Sequence, residues 1–322
     1  MKASVIIATF NREKLLVETL LDLARQRLMG DDDFEVVVAD NASRDGTREK
    51  VEDLQKSFPV PLVYLHEPKQ GKSHALYHAL TKARGEVLLF TDDDTRLPQD
   101  WIAQYLKVFR ETGAEGVAGP VRPVWLEKRP EWLSDRLVKQ MGMVDHRPER
   151  FVIDQDRYSF IGPNCAYTRR LFDKIGSFLA GDPAEDVEFF LRAFRSGHKL
   201  VWEPAVAVGH KVQPEQMTWA YLVKRFVRQG RGNASGVQEN ERYRGICRIP
   251  FWVLKLWCLL PFQAAGLWLK GDRDEARWRW LQIYLYGSMI RHCFDDWLHR
   301  RPQKRSRIKV AAPGSVLPKG KS

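Results

Sequence analysis

Four short apolar runs, each followed within a few residues by an amphipathic stretch, open the chain and constrain its fold more than any other feature. The spacing predicts strands over Ala3–Ala8, Phe34–Ala39, Leu62–His66 and Glu86–Thr91. Helices are expected between them, near Glu13–Arg27, Thr47–Ser57 and Ser73–Ala83. Val36–Val38 and Val87–Phe90 are unbroken apolar segments, which suits parallel strands covered by helices on both faces. This alternation predicts a doubly wound α/β sheet, and in such sheets ligands bind beyond the carboxyl ends of the strands.

Polar residues gather where that rule puts a site. Thr9, Asn11 and Arg12 follow the first strand, Asp40, Asn41, Ser43 and Asp45 the second, and Asp92, Asp93 and Asp94 the fourth. Three consecutive carboxylates need a cation nearby. Asp92 and Asp94 point the same way if strand geometry persists, and so placed they suit Mg2+ or Mn2+, which keeps waters and binds phosphates. A solvated acidic turn is the alternative for the triplet alone. Its position at a buried strand's end, opposite Asp40, favours the metal. Asp40 lies too early to cap the helix starting near Thr47 and suits the N–H or hydroxyl groups of a nucleotide. Ser43 and Asp45 are open to simple helix capping.

Farther along, 127–156 is irregular and rich in arginine, and Gly162-Pro163-Asn164 reads as a turn. Arg169–Ile175 is helical, and Gly181-Asp182-Pro183 opens a helix with Val187, Phe190, Leu191 and Phe194 on one face. Glu185 and Asp186 fall in its first turn, where the macrodipole favours anions. Glu188 and Arg192 are spaced for an i,i+4 ion pair. Lys199–Val208 reads as two extended pieces ending near His210.

Charge divides the chain unevenly. Residues 1–210 carry 30 Lys+Arg and 33 Asp+Glu, a net of −3, whereas 211–322 carry 22 and 8, a net of +14. Seven of the 11 tryptophans also follow residue 210. Ile249–Leu269 holds a single charge, Lys255, and Trp278–Ile290 is a second apolar patch flanked by arginines. Tryptophan beside basic residues marks a membrane interface, and each basic group near an anionic leaflet is worth about 1 kcal/mol. A monotopic membrane appendage is expected. Helices packed on the domain or on another subunit, and a true span, are the alternatives. A nucleic-acid partner is not expected, because a phosphate-tracking surface has no use for long uncharged stretches.

The pieces Ser4–Arg12, Val38–Thr47, Gly71–Leu76, Phe90–Asp94, Gly162–Asn164, Glu185–Glu188 with Arg192, and His210 together resemble the inverting family 2 glycosyltransferases of the GT-A fold. That resemblance implies a GT-A mixed, mostly parallel sheet over 1–215, with 1–100 the nucleotide-binding half and 115–215 the acceptor and catalytic half. A basic helical region over 216–300 and a flexible basic tail over 301–322 complete the expected organisation. The resemblance places Thr9, Asn11, Arg12, Asp40, Asn41, Lys72, Asp92 and Asp93 around the nucleotide. Asp92, Asp94 and His210 would hold Mn2+ or Mg2+, and Asp186 would be the general base, with Glu185 as the alternative. Gly162, Asn164 and Glu185 would meet the acceptor. Lys72 is open to a diphosphate contact or to a solvated loop position, and His210 to an ordinary strand-end role. The Gln-x-x-Arg-Trp motif of processive synthases is replaced here by Arg228–Asn233, which implies one sugar per encounter, with Gln229 and Arg231 closing over the diphosphate.

The expected activity is transfer of a sugar from a nucleotide-sugar, UDP by default with GDP and dTDP open, to a sugar or lipid-linked acceptor. Surface polysaccharide or glycolipid synthesis is the expected setting. A silent membrane scaffold of the same fold is the second reading. A sugar-phosphate nucleotidyltransferase is disfavoured, because the loop Thr9–Arg12 has no glycine. The four cysteines form no CxxC pair and read as reduced thiols. With no signal peptide at Met1, the expected location is cytoplasmic, peripheral on the inner face of the cell membrane.

Overall fold

The structure is a computed structural model that describes residues 1–179, 185–239, 245–246 and 249–299. The basic end from Arg300, Cys247 and the expected helix opening at Gly181-Asp182-Pro183 lie outside the described residues. The chain forms two compact units, Met1–Met217 and a second that begins at Thr218.

In the first unit, strands and helices alternate as β1 (Ala3–Thr9), α1 (Glu13–Ala24), β2 (Phe34–Asp40), α2 (Thr47–Gln55), β3 (Leu62–His66), α3 (Lys72–Lys82) and β4 (Val87–Asp92). Then follow β5 (Thr95–Arg96), α4 (Trp101–Thr112), β6 (Gly116–Ala118), β7 (Val121–Trp125), α5 (Asp135–Lys139) and β8 (Phe151–Val152). The unit closes with β9 (Cys165–Thr168), α6 (Arg169–Ile175), α7 (Glu185–Arg195), β10 (Leu200–Trp202) and β11 (Val208–Val212). The segment 127–156, irregular by sequence, contains only the short α5 and β8.

Eight strands form one sheet in the order β3-β2-β1-β4-β9-β6-β10-β8. The first four run parallel, β9 is antiparallel to both β4 and β6, β10 is parallel to β6, and β8 is an antiparallel edge. β1 and β2 are buried almost throughout, which explains their lack of hydrophobic alternation. On one side of the sheet Phe172, Phe178 and Phe189 pack together, with Phe172 and Phe189 stacked at 4.3 Å between ring centroids. Burial of each such ring contributes roughly 1.5–3 kcal/mol.

Register brings the polar strand ends level: Thr9 pairs with Asp40, Asp40 with His66, and Ala8 with Asp92. Because β2 and β4 flank β1 on opposite sides, the chain reverses its direction of travel across the sheet here, leaving a crevice at the strand ends. A second sheet, β5-β11-β7, stands beyond β4. In it β11 pairs antiparallel with β5, His210 opposite Thr95.

The second unit contains α8 (Trp219–Glu239), the two-residue strands β12 (Gly245–Ile246) and β13 (Ile249–Pro250), α9 (Phe251–Leu269) and α10 (Arg273–His299). α10 packs against both α8 and α9. A Cβ on Gly230 would stand 2.3 Å from the Leu285 carbonyl, so only glycine allows that approach of α8 to α10. The Ser288 hydroxyl donates to the Val227 carbonyl at 2.7 Å across the same contact. α9 runs through Pro261 and buries Val253, Leu260 and Ala264 as one stripe. Its other faces leave Phe262 at 78% and Leu269 at 88% exposed. Among the described residues α9 alone is long and apolar enough to cross a membrane.

Candidate active site

The acidic triplet does not continue the strand. β4 ends at Asp92, and the chain turns sharply, with the Thr95 hydroxyl donating to the Asp92 carbonyl at 2.9 Å. The Thr19 hydroxyl of α1 lies 2.9 Å from the carbonyls of both Asp93 and Thr95, pinning the turn from below. Asp92 and Asp94 still converge, but through this turn and not through the strand alternation the sequence suggests. Asp93 points elsewhere: it accepts from the Thr9 hydroxyl at 2.8 Å and from Arg12 at 2.9 Å. Arg12 also donates to Asp94 Oδ2 at 2.7 Å. Burial pushes Asp93 up to about 6, against the pull of Arg12. Burial works against the Arg12 charge in turn, and Asp93 and Asp94 outweigh it, so its pKa rises.

β11 carries His210 to the same place. His210 Nε2 stands 3.3 Å from Asp94 Oδ1, and the neighbouring Lys211 N–H donates to the Asp94 carbonyl at 2.9 Å. The Lys211 ammonium, fully buried, pairs with Glu18 at 2.8 Å and so ties β11 to α1. Ligating atoms of Asp92, Asp94 and His210 lie within 4.8 Å of one another. Asp94 Oδ1 and His210 Nδ1 are buried without a hydrogen-bond partner. Two carboxylates and an imidazole with unmet polar atoms fit a hard or borderline divalent cation.

Lys72, at the start of α3, donates to Asp92 Oδ1 at 2.6 Å. Burial opposes its charge, yet Asp92, Glu185 and Asp186 together hold the ammonium above its ordinary pKa. For Asp92, burial favours the acid and Lys72 outweighs it, so this carboxyl sits below the usual range. Gly162 faces the same space: a Cβ there would lie 3.1 Å from Lys72 Nζ, 3.4 Å from Asp186 Oδ2 and 4.0 Å from Asp92 Oδ1. Its backbone N–H donates to Asp186 Oδ2 at 2.7 Å. Glu185, at the start of α7, is buried, and that burial pushes it up to about 7, with Lys72 opposing and Asp186 adding to the shift. Lys72, Asp92, Gly162, Glu185 and Asp186 therefore form one polar wall.

Asp40 is buried at the end of β2. Its Oδ1 accepts from the Ser43 N–H at 2.8 Å and its Oδ2 from the Tyr64 hydroxyl at 2.7 Å, leaving only the remaining lone pairs for a base. Asn11 and Asn41 are loop fasteners. Asn11, at a left-handed φ of 53°, accepts from the Arg44 N–H at 2.7 Å, and Asn41 accepts from the Gly71 N–H and donates to the Lys69 carbonyl, both at 2.7 Å. Asp45 caps two helices, accepting from Thr47 and from the Glu13 N–H at 3.1 Å.

Asn164 departs from its expected role. It is fully buried; its Oδ1 accepts from Trp101 at 3.0 Å and Tyr105 at 2.8 Å, and its Nδ2 donates to the Pro120 and Val206 carbonyls. With its side-chain hydrogen-bonding capacity filled by protein, it fixes the turn that presents Gly162 and offers no side-chain atom to an acceptor. Glu188 and Arg192 form the expected i,i+4 pair at 2.8 Å, and Arg192 also reaches the Ser177 carbonyl. Gln229 and Arg231 are exposed on α8, in the second unit. Sequence reasoning missed Tyr64, Trp101 and Tyr105. Each lies on an element whose apolar pattern hides a polar tip, so only the distant partner reveals the role.

Parallel strands ending in a cluster of carboxylates, with an antiparallel strand leading to a second carboxylate pair, define a glycosyltransferase of the GT-A class. The sequence profile of the family described as Glycosyl transferase family 2 matches residues 4–176, and the chain belongs to that family. It is 29% identical over 231 residues to Succinoglycan biosynthesis protein ExoM of Rhizobium meliloti, covering 70% of this chain and 71% of that protein. The fold is similar to mannosyltransferase PcManGT from Pyrobaculum calidifontis in complex with GDP-Man and Mn2+, with TM-score 0.64 and 23% identity over 91% of this chain and 87% of that one. It is also similar to Staphylococcus aureus TarS 1-349 in complex with UDP-GlcNAc, with TM-score 0.51 and 19% identity over 92% of each chain.

Proposed function

We propose that this enzyme transfers a sugar, with inversion, from a nucleotide-diphosphate sugar to an acceptor hydroxyl in the synthesis of a surface polysaccharide or glycolipid. The observation that carries the reading is the single polar wall in which Asp186 is held by the Gly162 N–H opposite Lys72 and Asp92. Solved neighbours of the fold hold GDP-Man with Mn2+ and UDP-GlcNAc, and the relative ExoM bears a polysaccharide name. UDP is the favoured nucleotide. The exposed apolar face of α9 and the basic composition after residue 210 support attachment to the inner face of an anionic membrane, where a lipid-linked acceptor is held.

In this reading Thr9, Arg12 and Asp40 line the nucleoside end of the crevice, and Lys72 offers its ammonium to the diphosphate. Asp92, Asp94 and His210 would hold Mn2+ or Mg2+, which as a Lewis acid offsets charge developing on the departing diphosphate. Asp186 accepts the proton of the acceptor hydroxyl as its oxygen bonds to the anomeric carbon from the face opposite the leaving nucleotide. The bond from that carbon to the diphosphate breaks with its electron pair on the phosphate oxygen. Buried Glu185, beside Asp186, adds negative charge to the base site when it ionises.

A thermal-shift titration with UDP, GDP and dTDP, each with and without Mn2+, tests this. One nucleotide should stabilise the protein only when metal is present, and Asp94→Asn should abolish the effect. Metal-independent binding by that variant and the wild type alike would remove the metal from the reading. No binding by an intact fold would return the chain to the silent-scaffold reading.

A further inference from the structure

The second unit holds a cavity that plays no part in the site above. It is an open groove of about 350 Å³ where α9 meets α10, lined by Phe262, Gln263, Gly266 and Leu267 of α9, by Lys270 just after it, and by Glu275 and Arg279 of α10. That volume falls in the range of roughly 300–1,000 Å³ typical of small-ligand pockets. Its α9 wall is mostly apolar, with Gln263 the polar member, and its far end carries Lys270 and Arg279 with the single carboxylate Glu275.

Three further observations say what fits. Arg279 donates to Glu275 through Nη2 at 2.8 Å, yet its Nε–H is buried without a hydrogen-bond partner. A Cβ built on Gly266 would meet nothing within 4 Å, so the helix backbone itself faces open space there. Phe262, Gly266 and Leu269 follow a helical i, i+4, i+7 spacing, and Phe262 and Leu269 are the most exposed large apolar side chains of α9. The cavity thus opens on the same side of α9 as its unpartnered apolar residues.

We infer that this cavity is a binding site for the phosphate headgroup of a bilayer phospholipid, with Arg279 and Lys270 on the phosphate and an acyl chain running over Phe262, Leu267 and Leu269. The inference rests on the membrane attachment proposed above and deepens it. A side chain pair of opposite wall and charge recognises a ligand that is itself anionic at one end and apolar at the other. Bilayer lipid is the source, because the apolar residues that would meet the acyl chain are those of the helix face offered to the membrane.

The test uses the full chain and two probes. Dihexanoylphosphatidylglycerol, kept monomeric, is titrated calorimetrically, and glycerol 3-phosphate is titrated in parallel; cosedimentation with phosphatidylglycerol vesicles is measured separately. Gly266→Leu fills the open space with a better helix former and leaves every cationic and exposed apolar residue in place. The wild type should bind the monomeric lipid saturably. Gly266→Leu should weaken that binding roughly tenfold or more, and Arg279→Gln should do likewise, while both still sediment with vesicles. Vesicle binding by the wild type without binding of monomeric lipid, or equal binding by Gly266→Leu, would overturn the cavity site and leave the membrane reading standing. Glycerol 3-phosphate binding as tightly as the lipid would overturn the lipid assignment in favour of a free phosphate site. Failure to bind either lipid or vesicles would overturn both readings together.

Discussion

The backbone N–H of Gly162 donates to Oδ2 of Asp186 at 2.7 Å, while Oδ1 of the same carboxylate accepts from the Val187 N–H at 2.8 Å. Two hydrogen bonds from rigid backbone fix the carboxylate in one orientation without burying it. Asp186→Asn is therefore expected to lower kcat by roughly 10²–10⁴ while the nucleotide-induced thermal shift survives, as befits loss of a base and not of a binding group. Glu185→Gln should cost far less. Release of the nucleotide diphosphate under single-turnover conditions measures both, and the reverse order of losses would move the base to Glu185.

Stability should depend on pH through Glu185. Its folded pKa, about 7, lies above the ordinary 4.5, so the folded state keeps a proton that the unfolded chain has released. That contribution is fully present below the unfolded value and is lost as pH rises through 7. For the metal-free protein, Glu185→Gln should match the wild type at pH 4 and exceed it at pH 8. The gain is on the order of 3 kcal/mol, or roughly 5–10 °C in Tm. Equal melting temperatures at pH 8 would show that the carboxylate is not buried as described.

Asn164 carries a structural prediction. Asn164→Ala strands the indole N–H of Trp101 and the hydroxyl of Tyr105, together with the carbonyls of Pro120 and Val206, in the interior. The loss should be about 2–4 kcal/mol, lowering Tm by roughly 5–15 °C. The nucleotide-induced shift should persist in the folded fraction. An unchanged Tm with weakened acceptor use would restore Asn164 to the acceptor site.

The exposed face of α9 gives the membrane prediction. Phe262→Ser combined with Leu269→Ser removes two side chains that are 78% and 88% exposed, and it leaves every charge in place. Vesicle affinity should fall roughly a hundredfold through lost apolar insertion. Sedimentation that changes only with salt, and not with these substitutions, would make the attachment purely electrostatic.

The sequence alone determined the parallel half of the sheet nearly residue by residue. β3 runs over the predicted residues, β1 and β2 extend by one at the end and β4 moves by one at both ends, because buried parallel strands are written as continuous apolar runs and their helices as local periodicity. It also determined which carboxylates stand at strand ends, since those follow from where the runs stop. The tertiary structure decided which of them meet. His210 reaches Asp94 only because β11 adds to β5 in a separate sheet, and Gly162 reaches Asp186 only because β9 inserts antiparallel beside β4. Asn164, placed at the acceptor by the resemblance, is a buried fastener because Trp101 and Tyr105 of α4 pack against it. Strand and helix periods arise between neighbours a few residues apart, which the sequence displays. Pairings across the sheet depend on strand order and on which polar tips burial forces together, and these appear only once the chain has packed.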